Sequence, residues 1–254
     1  MVDSHTGADG GRIAMLIDGD SAQASLLGEM IAEAGRYGSV TIRRIYGDWT
    51  KTSMKSWRDI LSDHAILPVQ QFRYTTGKNA TDSAMIIDAM DILYEGAVQG
   101  FCLVSSDSDF TGLATRIREK GLFVMGIGQK ITPKAFVKAC EVFVYTENLR
   151  PEPAPPPAPR RATQKAVLEP VQTDPRPLLR KAFDLSLQEG GWALLGMVGE
   201  RIRQLDPAFD SRTYGHRQLS QLIRSYPDEF EMRDERSSSG SSVVFIRLKD
   251  ERPR

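Results

Sequence analysis

Phe101-Cys102-Leu103-Val104-Ser105-Ser106-Asp107-Ser108-Asp109-Phe110 is an apolar run that stops on a Ser-Ser-Asp-Ser-Asp cluster, and a helical pattern over Thr111–Lys120 follows at once. An unalternating apolar run of this length reads as a strand buried on both faces. In an open α/β sheet the carboxyl end of such a strand is where ligand crevices form. The same event occurs near the start of the chain, where Ile13-Ala14-Met15-Leu16-Ile17 runs into Asp18-Gly19-Asp20-Ser21. Two buried strands that each end on acidic residues would bring several carboxylates to one edge of one sheet.

Outward from these strands the pattern repeats. Ala22–Arg36 carries Leu26, Leu27, Met30, Ile31 and Ala34 at helical spacing, and Val40–Tyr46 is rich in β-branched strand formers. Ser53–Ser62 reads as a helix with Met54, Trp57, Ile60 and Leu61 on one side. Ala65–Phe72 reads as a strand nearer the sheet edge, because Pro68 cannot donate to a ladder. A polar loop, Arg73–Ala80, leads to a helix opened by Thr81 or Asp82 and running through Tyr94. Beyond the central strand come strand Leu122–Ile127, helix Pro133–Ala139 and strand Val142–Tyr145. Strands alternating with helices predict an α/β domain: a parallel sheet with helices on both faces.

The composition then shifts. Pro151-Glu152-Pro153-Ala154-Pro155-Pro156-Pro157-Ala158-Pro159-Arg160-Arg161 reads as an extended polyproline spacer. A second unit has helical patterns at Leu179–Leu187, Leu194–Leu205 and Leu219–Ile223, then strand-like pieces Glu229–Arg233 and Val243–Leu248 around a Ser/Gly-rich turn. That is the plan of a small winged helix-turn-helix. The expected organisation is a disordered leader over 1–11, an α/β domain over 12–149, a Pro-rich linker over 150–177 and a small domain over 178–249.

Formal net charge is zero, so no global basic field announces a nucleic-acid partner, and any such binding must come from local patches. Cys102 and Cys140 sit in apolar runs and read as reduced core thiols, and no Cys/His spacing fits a metal knuckle. Gly126-Ile127-Gly128 lacks the third glycine of a dinucleotide fingerprint, and there is no Walker A motif. The leader lacks a signal-peptide core and no run is long enough for a membrane helix, so a cytoplasmic protein with no membrane contact is expected.

Asp18, Asp107 and Asp109 end strands, and Asp82 stands at a helix start. Carboxylates from three separate elements at one sheet edge can hold Mg²⁺ or Mn²⁺ with open coordination positions, the arrangement that metal-assisted phosphodiester cleavage needs. Lys78 and Asn79 precede Asp82 and can reach a phosphate or orient a ligand. Taken singly, Asp82, Asp109 and Asp20 read equally well as helix N-caps. Asp88 and Asp91, further along the same helix, read as a solvated face. A phosphatase of the haloacid dehalogenase type is a rival reading of Asp18-Gly19-Asp20, although the Thr or Val expected two residues later is Ala22 and that reading leaves the second unit unexplained.

The motifs Ile17-Asp18-Gly19-Asp20, Lys78-Asn79-Ala80-Thr81-Asp82 and Ser105-Ser106-Asp107-Ser108-Asp109-Phe110 resemble those of the NYN domain, a PIN-like nuclease relative found in LabA-type bacterial proteins. The resemblance implies a PIN-like sheet and metal-dependent ribonuclease chemistry, with Asp18, Asp82 and Asp107 as catalytic metal ligands and Asp109 as a fourth. Ser21 stands where that family usually has Asn.

Gly191-Trp192-Ala193-Leu194-Leu195, Ile202–Asp210, Tyr214-Gly215 and Leu219–Ile223 resemble the OST-HTH or LOTUS domain. That resemblance implies binding of RNA, G-rich in part of the family, or docking of a protein partner. In the residues themselves, Arg212, His216, Arg217 and Arg224 gather around the third helix with Tyr214 able to stack, a pattern that suits RNA binding, with a solvated helix face as the alternative. Trp192 and Phe209 read as core.

The combined expectation is a metal-dependent endoribonuclease using Mg²⁺ or Mn²⁺, with a tethered RNA-recognition module that takes single-stranded or structured RNA. The alternative is a weakly active or inactive RNA- or protein-binding adaptor. A homodimer is a further expectation.

Overall fold

The computed structural model describes residues 11–72, 80–149, 174–187, 191–236 and 242–249. The expected leader and most of the Pro-rich linker lie outside the described residues, as do Lys78 and Asn79. The chain divides after Arg150 into two compact units.

In the first unit β1 (Arg12–Asp18), β2 (Ser39–Gly47), β3 (Leu67–Gln70), β4 (Gly100–Val104), β5 (Phe123–Gly128) and β6 (Val142–Tyr145) form one sheet. Its order is β3-β2-β1-β4-β5-β6 and every neighbouring pair is parallel. β1 and β4 are adjacent at the centre, with Ile17 beside Val104. Winding runs outward in both directions from that pair, so the gap beyond their carboxyl ends is the topological switch point where open α/β sheets bind ligands.

The apolar runs form strands because both faces are covered. Ile13, Met15 and Ile17 of β1 pack with Cys102, Val104, Met125 and Ile127. Leu27, Met30 and Ala34 of α1 (Leu27–Ala34) and Trp57 of α2 (Lys55–Arg58) close that side. The alternate residues, Ala14, Leu16, Phe101 and Leu103, are equally buried. α3 (Ala80–Glu95) packs across β1 and β2, and α4 (Thr111–Glu119) across β5 and α5 (Lys134–Ala139). An aromatic chain links Phe110 to Phe136 at 6.3 Å and Phe136 to Phe143 at 5.7 Å.

Two helices are shorter than their periodicity predicts. The Ala22–Arg36 pattern yields a 3₁₀ turn over Ala24–Leu26 and then α1, and the Ser53–Ser62 pattern yields only α2 after a 3₁₀ turn. Neither N-cap residue, Leu26 or Met54, makes a side-chain capping bond, and packing of the apolar side positions these segments.

Asp88 is not part of a solvated face. On α3 it accepts hydrogen bonds from the Arg44 guanidinium and the Tyr46 hydroxyl, both on β2. Burial, then the bond to Asp88, pushes the Tyr46 phenol up. Only the tertiary fold brings these groups together, since 42 and 44 residues separate the partners. Asp91 is exposed, as expected. Asp88→Ala strands two polar groups and is expected to cost about 2 kcal/mol. Asp91→Ala should stay within about 0.5 kcal/mol. Urea denaturation of the two variants measures the difference.

The second unit contains α6 (Arg176–Asp184), β7 (Ala193–Leu194), α7 (Leu195–Leu205), α8 (Leu219–Arg224), β8 (Phe230–Arg236) and β9 (Ser242–Leu248). β9 lies between β7 and β8, antiparallel to both. Leu179, Phe183, Val198, Ile202, Leu222 and Ile246 make its core. Phe209 packs against this core, as expected. Trp192 does not belong to it. Ala193 pairs with Ile246 and both are fully buried, so by strand alternation Trp192 lies on the opposite side. It sits there half-buried under the guanidinium groups of Arg233 and Arg247.

Among the described residues no helix is long and apolar enough to cross a membrane.

Candidate functional site

The site forms at the switch point between β1 and β4. β1 delivers Asp18 as its last residue, and Gly19 then turns the chain tightly against β2, its N–H donating to the Tyr46 carbonyl at 2.9 Å. A Cβ on Gly19 would lie 2.8 Å from that carbonyl oxygen and from Met54 Cε, so only glycine fits. From β4 the chain passes through Ser105 and Ser106 to Asp107. The Asp107 carboxylate caps the 3₁₀ turn Ser108–Phe110, accepting from the Asp109 N–H at 2.9 Å. Asp82 stands in the first turn of α3.

Oxygens of Asp82, Asp107 and Asp109 lie within 4.8 Å of one another. This brings together residues from two elements that the sequence separates. Capping and clustering coexist: Asp107 uses one oxygen on the backbone and still joins the trio. Asp18 is not a member of that trio. It is buried, its Oδ1 accepting from the Asp20 N–H at 3.1 Å and its Oδ2 from Ser105 Oγ at 3.0 Å. Its charge still acts on the site. Burial first, then the charges of Asp18, Asp107, Asp109 and Asp20, push the Asp82 carboxyl up to about 6. Asp20 itself pairs with Lys51 at 3.7 Å.

Ser105 is a residue of this site that reading strand ends for carboxylates misses. Its hydroxyl is buried and makes three contacts: Asp18 Oδ2, the Asp107 N–H at 3.1 Å, and Ser21 Oγ at 3.2 Å. An ionised carboxylate only accepts, so the Ser105 proton points to Asp18 and the Ser21 hydroxyl must be the donor to Ser105. One buried hydroxyl thereby ties the end of β1 to the loop after β4. Ser21 supports that tie. It also lines, with Ser105, Ser106 and Gln129, a void of about 10 Å³, close to the size of one water.

Like charges gathered in a half-buried crevice repel, and a hard divalent cation is the partner that relieves this. An all-oxygen carboxylate set suits Mg²⁺ or Mn²⁺ and not a soft thiolate-loving metal. Thr81 Oγ1, next to Asp82 in the chain, is buried and has no hydrogen-bond partner among the described residues. The donor set therefore fits the ion.

The sign of the pH effect follows. Asp82 holds its proton in the folded state up to about pH 6, against an ordinary value of 3.8. Its contribution to stability is present at low pH and is lost as pH rises from about 4 to about 6. Asp82→Asn is expected to raise the melting temperature at neutral pH and leave it unchanged near pH 4. Mn²⁺ is expected to raise the melting temperature of the wild type near pH 7 but not near pH 4. Thermal melts across this range, with and without the ion, measure both.

In the second unit the expected RNA residues are spread out. Arg212 is held by Asp210 at 2.7 Å, and Tyr214 packs on Phe209 with ring centroids 5.7 Å apart. Arg224 lies 3.6 Å from Asp234, both largely exposed. Arg217 is exposed and has no carboxylate partner among the described residues, and His216 is half-buried beside it.

Comparisons with known proteins agree with this anatomy. The model of the NYN domain matches residues 12–147, and that of the OST-HTH/LOTUS domain matches residues 166–242. No curated protein matches the chain. Among solved structures, a protein of unknown function from Vibrio parahaemolyticus is 19% identical, with a TM-score of 0.47, over 57% of this chain and 98% of that one. An uncharacterized protein of Nitrosomonas europaea is 30% identical, with a TM-score of 0.31, over 40% of this chain and 96% of that one. The NYN domain belongs to a nuclease superfamily, and OST-HTH/LOTUS is an RNA-binding module. With more than half of its residues matched, this chain belongs to the NYN domain family, here joined to an OST-HTH/LOTUS domain.

Proposed function

We propose that this protein is a divalent-metal-dependent endoribonuclease whose OST-HTH/LOTUS unit holds the RNA. The observation that carries this reading is the convergence of Asp82, Asp107 and Asp109 within 4.8 Å at the switch point of the sheet. In this reading those three residues hold Mg²⁺ or Mn²⁺, and Asp18 adds charge from the end of β1. A bound ion supplies an activated water and neutralises charge that builds on the phosphate.

The chain's own groups do the rest. Asp82, with its carboxyl near pH 6, gives up its proton as the ion binds, so ion affinity rises with pH through that region. Ser105 fixes the Asp18 carboxylate and the Asp107 backbone in one arrangement. Lys78 and Asn79 meet the phosphate backbone, while Arg212, Tyr214, His216, Arg217 and Arg224 of the second unit hold the strand.

The test is hydrolysis of single-stranded RNA by the purified full chain with Mg²⁺ or Mn²⁺. Cleavage that stops on chelation supports the reading. Absence of cleavage with either ion across several RNAs, alongside intact RNA binding, would leave an adaptor instead of an enzyme.

A further inference from the structure

The outer face of the small sheet carries an aromatic and guanidinium surface that neither the core nor the acidic site uses. Strand alternation sorts it cleanly. Met232 and Ile246 are cross-strand partners, and Ile246 is sealed into the core. Their neighbours Glu231, Arg233, Phe245 and Arg247 therefore share the other face, which Trp192 joins from just before β7. The Arg233 guanidinium lies 4.5 Å from the Trp192 ring centroid and 5.8 Å from that of Phe245, and the Arg247 guanidinium lies 4.8 Å from Trp192.

We propose that the Trp192, Phe245, Arg233 and Arg247 face is a stacking platform for unpaired bases of RNA. Two physical points select bases over phosphate. First, each arginine already has a carboxylate: Arg233 pairs with Glu235 at 2.7 Å and Arg247 with Glu231 at 2.5 Å. The face is thus charge-balanced and offers little net attraction to a polyanion. Second, both guanidinium groups stay over the Trp192 ring while the two arginine side chains remain about half exposed (49% and 45%). A base can extend a stack that begins with an indole and continues through a guanidinium plane. The inference rests on the RNA-binding reading of the OST-HTH/LOTUS unit and assigns it a site apart from Arg212, Arg217 and Arg224.

The experiment measures binding of labelled single-stranded oligoadenylate to the full chain in EDTA, by fluorescence anisotropy across a salt series. The comparison probe is an abasic strand with the same backbone. Trp192→Ala is expected to weaken oligoadenylate binding about 10-fold, with the salt dependence and the abasic affinity unchanged. Arg217→Gln is expected to weaken both probes alike and to flatten the salt slope, because it removes a phosphate contact. If Trp192→Ala lowers the melting temperature, Trp192→Phe and Phe245→Leu carry the test, each with a smaller loss confined to the strand that has bases. Unchanged affinity in these variants, or equal losses on both probes, overturns the platform while leaving RNA binding in place. A wild-type chain that binds neither probe overturns the RNA reading itself, and the platform with it.

Discussion

Replacing Asp107 by Asn is expected to lower RNA hydrolysis at least about 100-fold, beyond the 10–100-fold range typical when a group behind a metal ligand is lost. The substitution isolates charge from structure. Asp107 caps the 3₁₀ turn at Ser108–Phe110 by accepting the Asp109 N–H at 2.9 Å, and an asparagine carbonyl makes the same bond. The fold at the end of β4 is therefore retained, while one of three carboxylates within 4.8 Å becomes neutral. Mn²⁺ affinity by calorimetry and turnover by gel assay should fall together, and the melting temperature without the ion should hold or rise as repulsion is relieved. Asp107→Ala loses the cap as well, and about 1 kcal/mol of stability with it. Full activity in Asp107→Asn would sink the metal-centre reading.

Ser105→Ala is expected to cost 10–100-fold in Mn²⁺ affinity or turnover, on the order found when partners that orient metal-site groups are removed. The buried hydroxyl serves Asp18 at 3.0 Å and the Asp107 N–H at 3.1 Å, so its loss loosens two loops at once. It also leaves the buried Asp18 carboxylate short of a hydrogen bond, which should destabilise the chain by about 1–3 kcal/mol. The Ser21 side chain meets this system at the Ser105 hydroxyl, at 3.2 Å, and its backbone N–H bond to the Asp18 carbonyl survives truncation to alanine. Ser21→Ala should therefore cost less than Ser105→Ala, and the double variant should be no worse than Ser105→Ala alone. A double-mutant cycle on Mn²⁺ affinity reads this coupling directly. Additive losses would mean that Ser21 works by another route.

The parallel sheet was legible because its central strands β1, β4 and β5 are short apolar runs closed by Asp18, Ser105 and Gly128, and a sheet covered on both faces is where such runs are buried. Val142–Tyr145 matches its predicted bounds, and α3 lies within a residue or two of them. Helix length was less legible for α1 and α2. Apolar spacing persists through 3₁₀ turns, so periodicity alone overstates both. In the second unit the error was one of face. Trp192 reads as core because it is large and apolar, but it lies one residue from Ala193, whose pairing with Ile246 turns it outward.

By itself the sequence determined which residues end the central strands, and so that acidic groups gather at the carboxyl edge of a parallel sheet. That follows from strand burial and chain direction, which are local. Tertiary structure alone decided which carboxylates meet: Asp109 joins Asp82 and Asp107, while Asp18 turns to Ser105 and the Asp20 backbone. It also decided that Asp88 serves Arg44 and Tyr46. The hydrogen-bonded pairings between elements span 42 to 87 residues, and a side chain's partner at such range is set by how elements pack, which no local pattern encodes.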